Sequence, residues 1–208
     1  MPYDGRPSLL IVAGPNGSGK TTVTRGLFRL IWTQDSTYVN PDIIAQEKYG
    51  DWNSPKAIFQ AAKYAVTIRN QCLAEGRDLI FETVLSSTEK PEYLRRAMGA
   101  GYFIRLLFIA TSDPYINCAR VTARRMKGGR DVPTDKIITR YVKSIANCAV
   151  LAPLVDRLQV YDNSTNRCSP RPVLRASNGR LTRTYGEVPE WALPIKANLT
   201  PIHNLIPS

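Results

Sequence analysis

Gly14-Pro-Asn-Gly-Ser-Gly-Lys-Thr21 matches the pattern G-x-x-x-x-G-K-[ST] completely. The apolar run from Ser8 to Ala13 precedes it and predicts a buried parallel strand, and the pattern from Thr22 to Leu30 is typical of a helix. A strand, a glycine-rich turn and a helix in this order form a P-loop, which binds phosphate through backbone N–H groups. Gly17 and Gly19 lack a Cβ, so the backbone can approach a phosphate closely. We therefore expect the chain to bind a nucleoside triphosphate.

The residue types of the P-loop also predict contacts with the triphosphate and with Mg²⁺. The ammonium of Lys20 should reach the β- and γ-phosphates, and the hydroxyl of Thr21 is a Mg²⁺ ligand. The positive end of the following helix adds to the attraction for phosphate. The predicted nucleotide-binding residues are Gly14, Pro15, Asn16, Gly17, Ser18, Gly19, Lys20, Thr21, Thr22 and, beyond the loop, Arg120.

Strand patterns alternate with helix patterns beyond the P-loop. Four further strands are predicted, at residues 37–40, 78–81, 102–110 and 157–161. Helices are predicted to begin near Ser54, Asp113 and Thr134. This alternation predicts an α/β fold of P-loop kinase type, with a parallel sheet of five strands and helices on both faces.

The chain changes character after its first 164 residues, which we predict to form the kinase core. Residues 165–208 are rich in proline, serine and arginine, with a net charge of +4. Asn178-Gly179 predicts a hairpin turn within this small basic extension. We expect Trp191, Leu193 and Ile195 to pack the extension onto the core.

Composition narrows the classes of function. The 28 Lys+Arg against 17 Asp+Glu give 208 residues a net charge of +11, which favours an anionic partner such as a nucleotide, a phosphorylated metabolite, a nucleic acid or an acidic protein. One histidine, His203, and four cysteines without a CxxC pair disfavour zinc hydrolases and disulfide frameworks. No secretion signal or apolar span is evident, so we expect a cytoplasmic protein without a membrane partner.

Carboxylates follow two of the predicted strands, at the edge of the sheet where ligands bind. Asp42, in Asn40-Pro-Asp42, could accept the proton of an acceptor hydroxyl, or it could cap a helix. Glu82 could bind acceptor hydroxyls or a Mg²⁺-bound water, and helix capping is again the alternative. We predict Asp42 as the catalytic base and Asn40, Glu82 and Thr83 as substrate-binding residues.

Basic residues cluster between Arg120 and Lys143, where eight basic and two acidic side chains give +6. Gly128-Gly129 supplies a hinge, and Asp131-Val-Pro133 supplies a rigid turn. This composition suits a lid, at about residues 120–143, that closes over phosphates and excludes water. A solvated basic face is the alternative. The predicted catalytic residues here are Arg124, Arg125 and Arg140, together with Lys20, and Arg130 is predicted to bind substrate.

With these motifs placed, residues 9–164 resemble the zeta-toxin family of P-loop kinases. The resemblance rests on the P-loop, the lid and four further motifs, namely Asn40-Pro-Asp42, Phe81-Glu-Thr83, Arg140-Tyr-Val-Lys-Ser144 and Tyr161-Asp-Asn-Ser164. The lid followed by Arg-Tyr-x-x-Ser is the more specific part. Small members often have His at the position of Arg130 and a second Arg at the position of Thr139.

The resemblance implies ATP-dependent phosphorylation of a nucleotide sugar, chiefly UDP-N-acetylglucosamine at the sugar 3′-hydroxyl. It implies that Lys20 and Thr21 handle ATP and Mg²⁺, that Asp42 is the base, and that Glu82 and Thr83 lie near the acceptor. An arginine of the Arg124-Arg125 pair and Arg140 would contact the phosphates. An acidic antitoxin that blocks the ATP site is an implied partner.

Two other functions remain open at this point. The acceptor could be an antibiotic, a nucleoside or a polynucleotide 5′-hydroxyl, and the basic extension keeps the last of these open. Alternatively, the chain could be an ATP-gated nucleic-acid-binding module that uses the P-loop only as a switch. A general base is needed only by the kinases, so loss of activity in Asp42→Asn would distinguish the two classes.

Overall fold

The computed structural model describes residues 5–27, 35–51 and 53–201 of the chain. A single sheet runs through it in the order β2-β3-β1-β4-β5-β6-β7. The strands are β1 Ser8–Ala13, β2 Thr37–Val39, β3 Leu79–Thr83, β4 Phe103–Ala110, β5 Arg157–Asp162, β6 Arg171–Ser177 and β7 Arg180–Thr184. The helices are α1 Lys20–Leu27, α2 Pro41–Tyr49, α3 Pro55–Glu75, α4 Glu89–Gly99, α5 Pro114–Arg125, α6 Thr134–Leu151 and α7 Leu193–Ala197.

The α/β fold of P-loop kinase type is confirmed, but the sheet has seven strands rather than the five predicted. β1 to β5 are parallel to one another, as expected. The additional β6 and β7 come from the C-terminal extension and pair antiparallel, beginning at β5. The predicted hairpin turn joins them, with Asn178 and Gly179 both at positive φ (48° and 73°), the backbone that a two-residue turn requires.

The strand order places the P-loop at the centre of the sheet. β1 lies between β3 and β4, so its carboxyl end is level with theirs: Ala13 is in register with Thr83 and with Phe108. The chain leaves β1 to form the P-loop, and later strands add to the sheet on both sides of β1. Ligands of open parallel sheets bind at such a crevice, where connections diverge to either side.

Two hydrophobic cores cover the two faces of the sheet. The larger lies on the face of Leu9, Ile11 and Phe108, and the smaller contains Leu10, Val12, Ile80, Leu107 and Ile109, with Val23 of α1 packed against it. Among the described helices, none is long and apolar enough to cross a bilayer.

Most helix boundaries follow the sequence signals. Ser54 caps α3 and Asp113 caps α5, each through its side-chain oxygen, and Gly76 ends α3 in the left-handed conformation. Helix α6 begins at Thr134 without a side-chain cap. The predicted strand at 78–81 is β3, displaced toward the site at Leu79–Thr83, and α4 was not predicted at all. Residues 28–30 of the first predicted helix, and His203, lie outside the described residues.

The C-terminal extension packs on the large core through Trp191 and Ile195, two of the three side chains named for that role. Trp191 and Ile195 are buried, whereas Leu193 is 47% exposed, so its predicted role in packing is wrong. The ring of Trp191 lies 6.3 Å from that of Phe108 on β4. Leu193 is the first residue of the short helix α7, whose buried side is occupied by Ile195.

Candidate active site

Three glycines allow the P-loop to pack tightly against its neighbours. Gly14, Gly17 and Gly19 all have positive φ. A Cβ on Gly14 would lie 1.9 Å from the carbonyl oxygen of Ile109, and one on Gly17 would lie 2.7 Å from that of Asn117. Both obstacles are backbone atoms, which cannot rotate away. The loop conformation therefore requires glycine at both positions.

Lys20 points back into the loop. Its ammonium donates hydrogen bonds to the carbonyl oxygens of Gly14 (2.7 Å) and Pro15 (2.8 Å). Burial lowers the pKa of Lys20 to about 8; nearby Glu82 raises it, whereas Arg124 and Arg130 lower it further. The ammonium is thus held at the centre of the loop, beside space that a polyphosphate can fill.

Glu82 lies directly beside the P-loop threonine. The Thr21 hydroxyl donates to Glu82 Oε2 (2.9 Å), and the Tyr38 hydroxyl donates to Oε1 (2.7 Å). Glu82 is buried, and burial together with its charge raises the pKa of Tyr38. Helix α4 begins only at Glu89, so Glu82 does not cap it. Hydroxyl and carboxylate oxygens are the ligands that Mg²⁺ prefers.

Thr21 and Glu82 can supply only part of the coordination shell of a Mg²⁺ ion. Among the residues in the described ranges, no three His, Cys, Asp or Glu side chains form a cluster that could hold a metal by themselves. Mg²⁺ in nucleotide sites is usually held by one or two protein oxygens together with phosphates and waters. Thr21 and Glu82 match that donor set.

Asn40, not Asp42, caps helix α2. The Asn40 side-chain oxygen accepts hydrogen bonds from the backbone N–H groups of Asp42 (2.9 Å) and Ile43 (3.4 Å). The alternative role of Asp42 as a cap is therefore wrong. Its carboxylate instead forms an ion pair with the guanidinium of Arg130, which reaches it from the segment between α5 and α6.

The basic cluster divides between cleft and surface. Arg120, Arg124, Arg130 and Arg140 all line the cleft. Arg124 donates to the carbonyl oxygen of Arg130 (3.1 Å), and Arg140 donates to Asn16 Oδ1 (3.4 Å). Burial lowers the pKa of Arg124 and of Arg130, although both remain cations at neutral pH.

Arg125 does not line the cleft, contrary to its predicted catalytic role. Its side chain is 65% exposed and pairs with Asp131. Consecutive helical residues point about 100° apart, so the residue after Arg124 is turned away from the face that Arg120 and Arg124 share. The sequence could not decide between the two adjacent arginines.

The cleft has a volume of about 850 Å³ and extends from the P-loop to α3 and the start of α4. Other predicted residues that line it are Asn16, Gly17, Gly19, Thr22, Asn40 and Thr83. None of the side chains at its far end was among the predicted site residues. That end is lined by Phe59, Lys63, Arg69, Ser86, Ser87 and Lys90, and the Phe59 ring is 69% exposed. We call this part of the cleft the acceptor end.

Asn163 is a further residue whose role was not predicted. Its side-chain amide donates to the carbonyl oxygen of Ser18 (2.8 Å), and its own carbonyl oxygen accepts from Arg120 (2.7 Å). Arg120 also binds the side chain of Asn166 (2.8 Å). The loop after β5 therefore braces the P-loop. Its motif, Tyr161-Asp-Asn-Ser164, was the available signal.

Comparison with known proteins identifies the family of the chain. The model of the family described as zeta toxin matches residues 1–169. The chain belongs to the zeta toxin family. This membership and the complete P-loop support a phosphotransferase of kinase type. A protein of Haemophilus influenzae described only as uncharacterized is 25% identical over 134 residues, which are 64% of this chain and 91% of that protein.

Solved structures share the fold of this zeta toxin family member. The structure from the PezAT chromosomal toxin–antitoxin system of Streptococcus pneumoniae has a TM-score of 0.57 and 20% identity, covering 82% of this chain and 72% of that one. The native AvrRxo1-ORF1:-ORF2 complex has a TM-score of 0.65 and 18% identity, covering 96% and 66%. The same complex with ATP has a TM-score of 0.64 and 16% identity, covering 99% and 67%.

Proposed function

We propose that the chain is an ATP-dependent kinase that phosphorylates a hydroxyl of a small molecule, most favourably a UDP-activated sugar such as UDP-N-acetylglucosamine. One observation carries this proposal: a carboxylate that can accept a proton, Asp42, lines the same cleft as the phosphate-binding Lys20 and the Thr21–Glu82 pair. Four arginines of the basic cluster line that cleft as well, and one of them, Arg130, pairs with Asp42 itself.

Asp42 would act on the acceptor hydroxyl. As the acceptor oxygen bonds to the γ-phosphorus of ATP, the bond from that phosphorus to the β–γ bridging oxygen breaks and ADP leaves. The hydroxyl proton passes to the Asp42 carboxylate. Lys20, Arg124, Arg130 and Arg140 would stabilise the negative charge on the transferring group, which is the main requirement of phosphoryl transfer.

Thr21 and Glu82 would hold Mg²⁺, which when bound neutralises charge on the β- and γ-phosphates. The Tyr38 hydroxyl, which donates to Glu82, fixes the orientation of that carboxylate. Asn40 supports Tyr38 in turn through a 3.0 Å hydrogen bond. The predicted substrate-binding roles of Asn40 and Glu82 are thus better replaced by positioning and metal-binding roles.

The acceptor end of the cleft supports an acceptor that carries a planar ring and phosphates. The exposed ring of Phe59 offers a surface on which a base can stack. The ammonium groups of Lys63 and Lys90 line the same end, and they would neutralise a diphosphate once Lys90 leaves its ion pair with Glu89 (2.8 Å). A UDP-sugar has both features and a free sugar hydroxyl, whereas a simple sugar would leave the ring and the cations unused.

We also propose an antitoxin as partner. The family and the PezAT toxin–antitoxin system, whose structure has the same fold, support this type of partner. The net charge of +11 favours an acidic protein. An antitoxin that inhibits by covering the cleft should be displaced by, or compete with, ATP in an inhibition assay; inhibition that is independent of ATP concentration would contradict this.

Mass spectrometry of a nucleotide-sugar and metabolite panel, incubated with ATP and Mg²⁺, tests the function. We expect a mass gain of one phosphate on UDP-N-acetylglucosamine and a much smaller gain on free N-acetylglucosamine. A mass gain on a different acceptor would support the kinase activity but contradict the UDP-sugar as its acceptor. The absence of any phosphorylated product, with ATP binding intact, would overturn the kinase itself.

A further inference from the structure

One half of a sheet face is covered by arginine side chains. On this face β1, β3 and β4 carry the smaller apolar core, which α1 covers. The same face of β5, β6 and β7 carries four exposed arginines, which we call the arginine face: Arg157, Arg175, Arg180 and Arg183. The apolar core on this side reaches as far as Tyr161 of β5, and the rest of β5, β6 and β7 carries positive charge instead.

The strand register brings these side chains together. Arg175 is directly opposite Arg183 on β7 and beside Gln159 on β5. Ser177 lies between Arg157 and Arg180 in the adjacent row. Neighbouring strands are about 4.8 Å apart, so four guanidinium groups project from an area three strands wide.

These positive charges are not compensated within the fold. Within the described parts of the chain, no carboxylate lies within 4 Å of any of the four guanidinium groups. Arg175 and Arg183 instead stack on the ring of Tyr185, with centroid distances of 5.5 and 4.8 Å. Like charges directly opposite on neighbouring strands destabilise a sheet. Repulsion within the arginine face therefore lowers the stability of the sheet, and a bound anion would relieve that repulsion.

We propose that the arginine face binds single-stranded nucleic acid through its phosphates. Guanidinium groups match phosphate oxygens in pairs, and every cation on this face is arginine rather than lysine. Unpaired bases can stack on guanidinium planes and on the partly exposed Tyr185. Apart from Tyr185, the neighbouring side chains Gln159 and Ser177 are polar, so the face offers little of the apolar area that the centre of a protein interface buries.

This site is separate from the cleft. Arg157 is the first residue of β5, whereas the P-loop follows the last residue of β1, at the opposite end of the parallel strands. Binding there does not depend on which acceptor the cleft takes. The proposal adds a nucleic-acid surface to the kinase and does not make nucleic acid its phosphoryl acceptor.

Fluorescence anisotropy of the full chain with a labelled single-stranded oligouridylate tests the proposal. Arg175→Glu/Arg183→Glu should weaken binding by at least about tenfold and reduce the slope of log K against log salt by about 1.4, for two lost phosphate contacts. Arg157→Gln/Arg180→Gln, a milder change, should weaken binding in the same direction. ATP affinity should stay unchanged in both variants, which shows that they fold.

The matched control is Arg95→Glu/Lys196→Glu, which makes the same change of net charge at exposed positions on α4 and α7. We expect it to bind the oligouridylate within about twofold of wild type, apart from a weak general charge effect. Equal losses in the control and the arginine-face variants would overturn the proposal. So would preferential binding of an acidic peptide that the arginine-face variants lose, since the partner would then be a protein.

Discussion

At the scale of single residues, the pair of Asp42 and Arg130 connects the proposed base to the proposed lid. A carboxylate that is neutralised by a guanidinium is a poor proton acceptor. Under the proposed mechanism, Arg130 must therefore turn from Asp42 to the phosphates before transfer. The ligand-free arrangement would keep the base inactive until a polyphosphate enters.

The pKa of Lys20 predicts how ATP affinity depends on pH. Because burial lowers that pKa to about 8, the ammonium is charged below pH 8 and loses its proton above it. ATP must then restore the proton on binding, so affinity should fall as pH rises through 8, approaching about tenfold per pH unit. Calorimetric titration over about one pH unit on either side of 8 measures this. Wild-type affinity that is flat across this range, or that matches Lys20→Met, would contradict it.

Arg124 and Arg125 are adjacent, but we expect substitution of each to affect kcat very differently. Arg124→Ala should lower kcat by about 10²-fold or more, because Arg124 lines the cleft where the transferring phosphoryl group would lie. Arg125→Ala should stay within about twofold of wild type, because an exposed ion pair such as that with Asp131 contributes little. Steady-state kinetics with the identified acceptor measures both effects. Equal losses of kcat in the two variants would show that the division of the basic cluster between cleft and surface is wrong.

At the scale of elements, the P-loop is held by contacts on its back as well as by its own sequence. Gly14 faces the carbonyl oxygen of Ile109 on β4, and the amide of Asn163 binds the loop from the segment after β5. The loop keeps its shape without a ligand because β4, α5 and this segment all support it.

Gly14→Ala should therefore damage both stability and ATP binding. Its Cβ would require the backbone of β4 to move, and we expect a loss of about 2–4 kcal/mol in the free energy of unfolding. Gly26→Ala is the control: the site is helical and open, so alanine should stabilise by about 0.5–1 kcal/mol. Urea denaturation measures both, and a Gly14→Ala variant as stable as wild type would refute the packing argument.

The elements that sequence predicts best are those with a local signal. The P-loop, the capped helix after Ser54 and the turn at Asn178-Gly179 each depend on residues close in the chain. The pairing of β6 with β5 spans an irregular connection, residues 163–170, rather than a tight turn with a local signal, so the number of strands was missed. In the site, Phe59 was missed because its position in the cleft arises only from tertiary structure, and the motif around Asn163 did not show that the Asn163 amide reaches the P-loop.

At the scale of the whole molecule, the C-terminal extension is continuous with the kinase core. The family match ends at residue 169, yet β6 and β7 extend the same sheet. The indole N–H of Trp191 donates to Asp162 (3.2 Å), and Asp162 also accepts from the backbone of Ser164 (2.8 Å), next to the Asn163 that braces the P-loop. The extension is thus coupled to the nucleotide site through one carboxylate.

Variants of Trp191 distinguish the contribution of its buried ring from that of its hydrogen bond to Asp162. Trp191→Ala should lower the free energy of unfolding by about 3–5 kcal/mol, because a large buried ring is lost. Trp191→Phe keeps most of the ring and loses the hydrogen bond, for which we expect a smaller loss and weaker ATP binding. Thermal denaturation and ATP titration of both variants check this. Stability unaffected by Trp191→Ala would show that the extension folds apart from the core.

The most direct test of the central claim is ADP and phospho-acceptor formation by wild type and Asp42→Asn, with ATP, Mg²⁺ and UDP-N-acetylglucosamine. Glu47→Gln removes one exposed carboxylate from the same helix and serves as the control. We predict that Asp42→Asn lowers the rate by about 10²- to 10⁴-fold while it still binds ATP, and that Glu47→Gln is unchanged. Phospho-acceptor formation by Asp42→Asn at the wild-type rate would contradict the proposed role of Asp42 as the base.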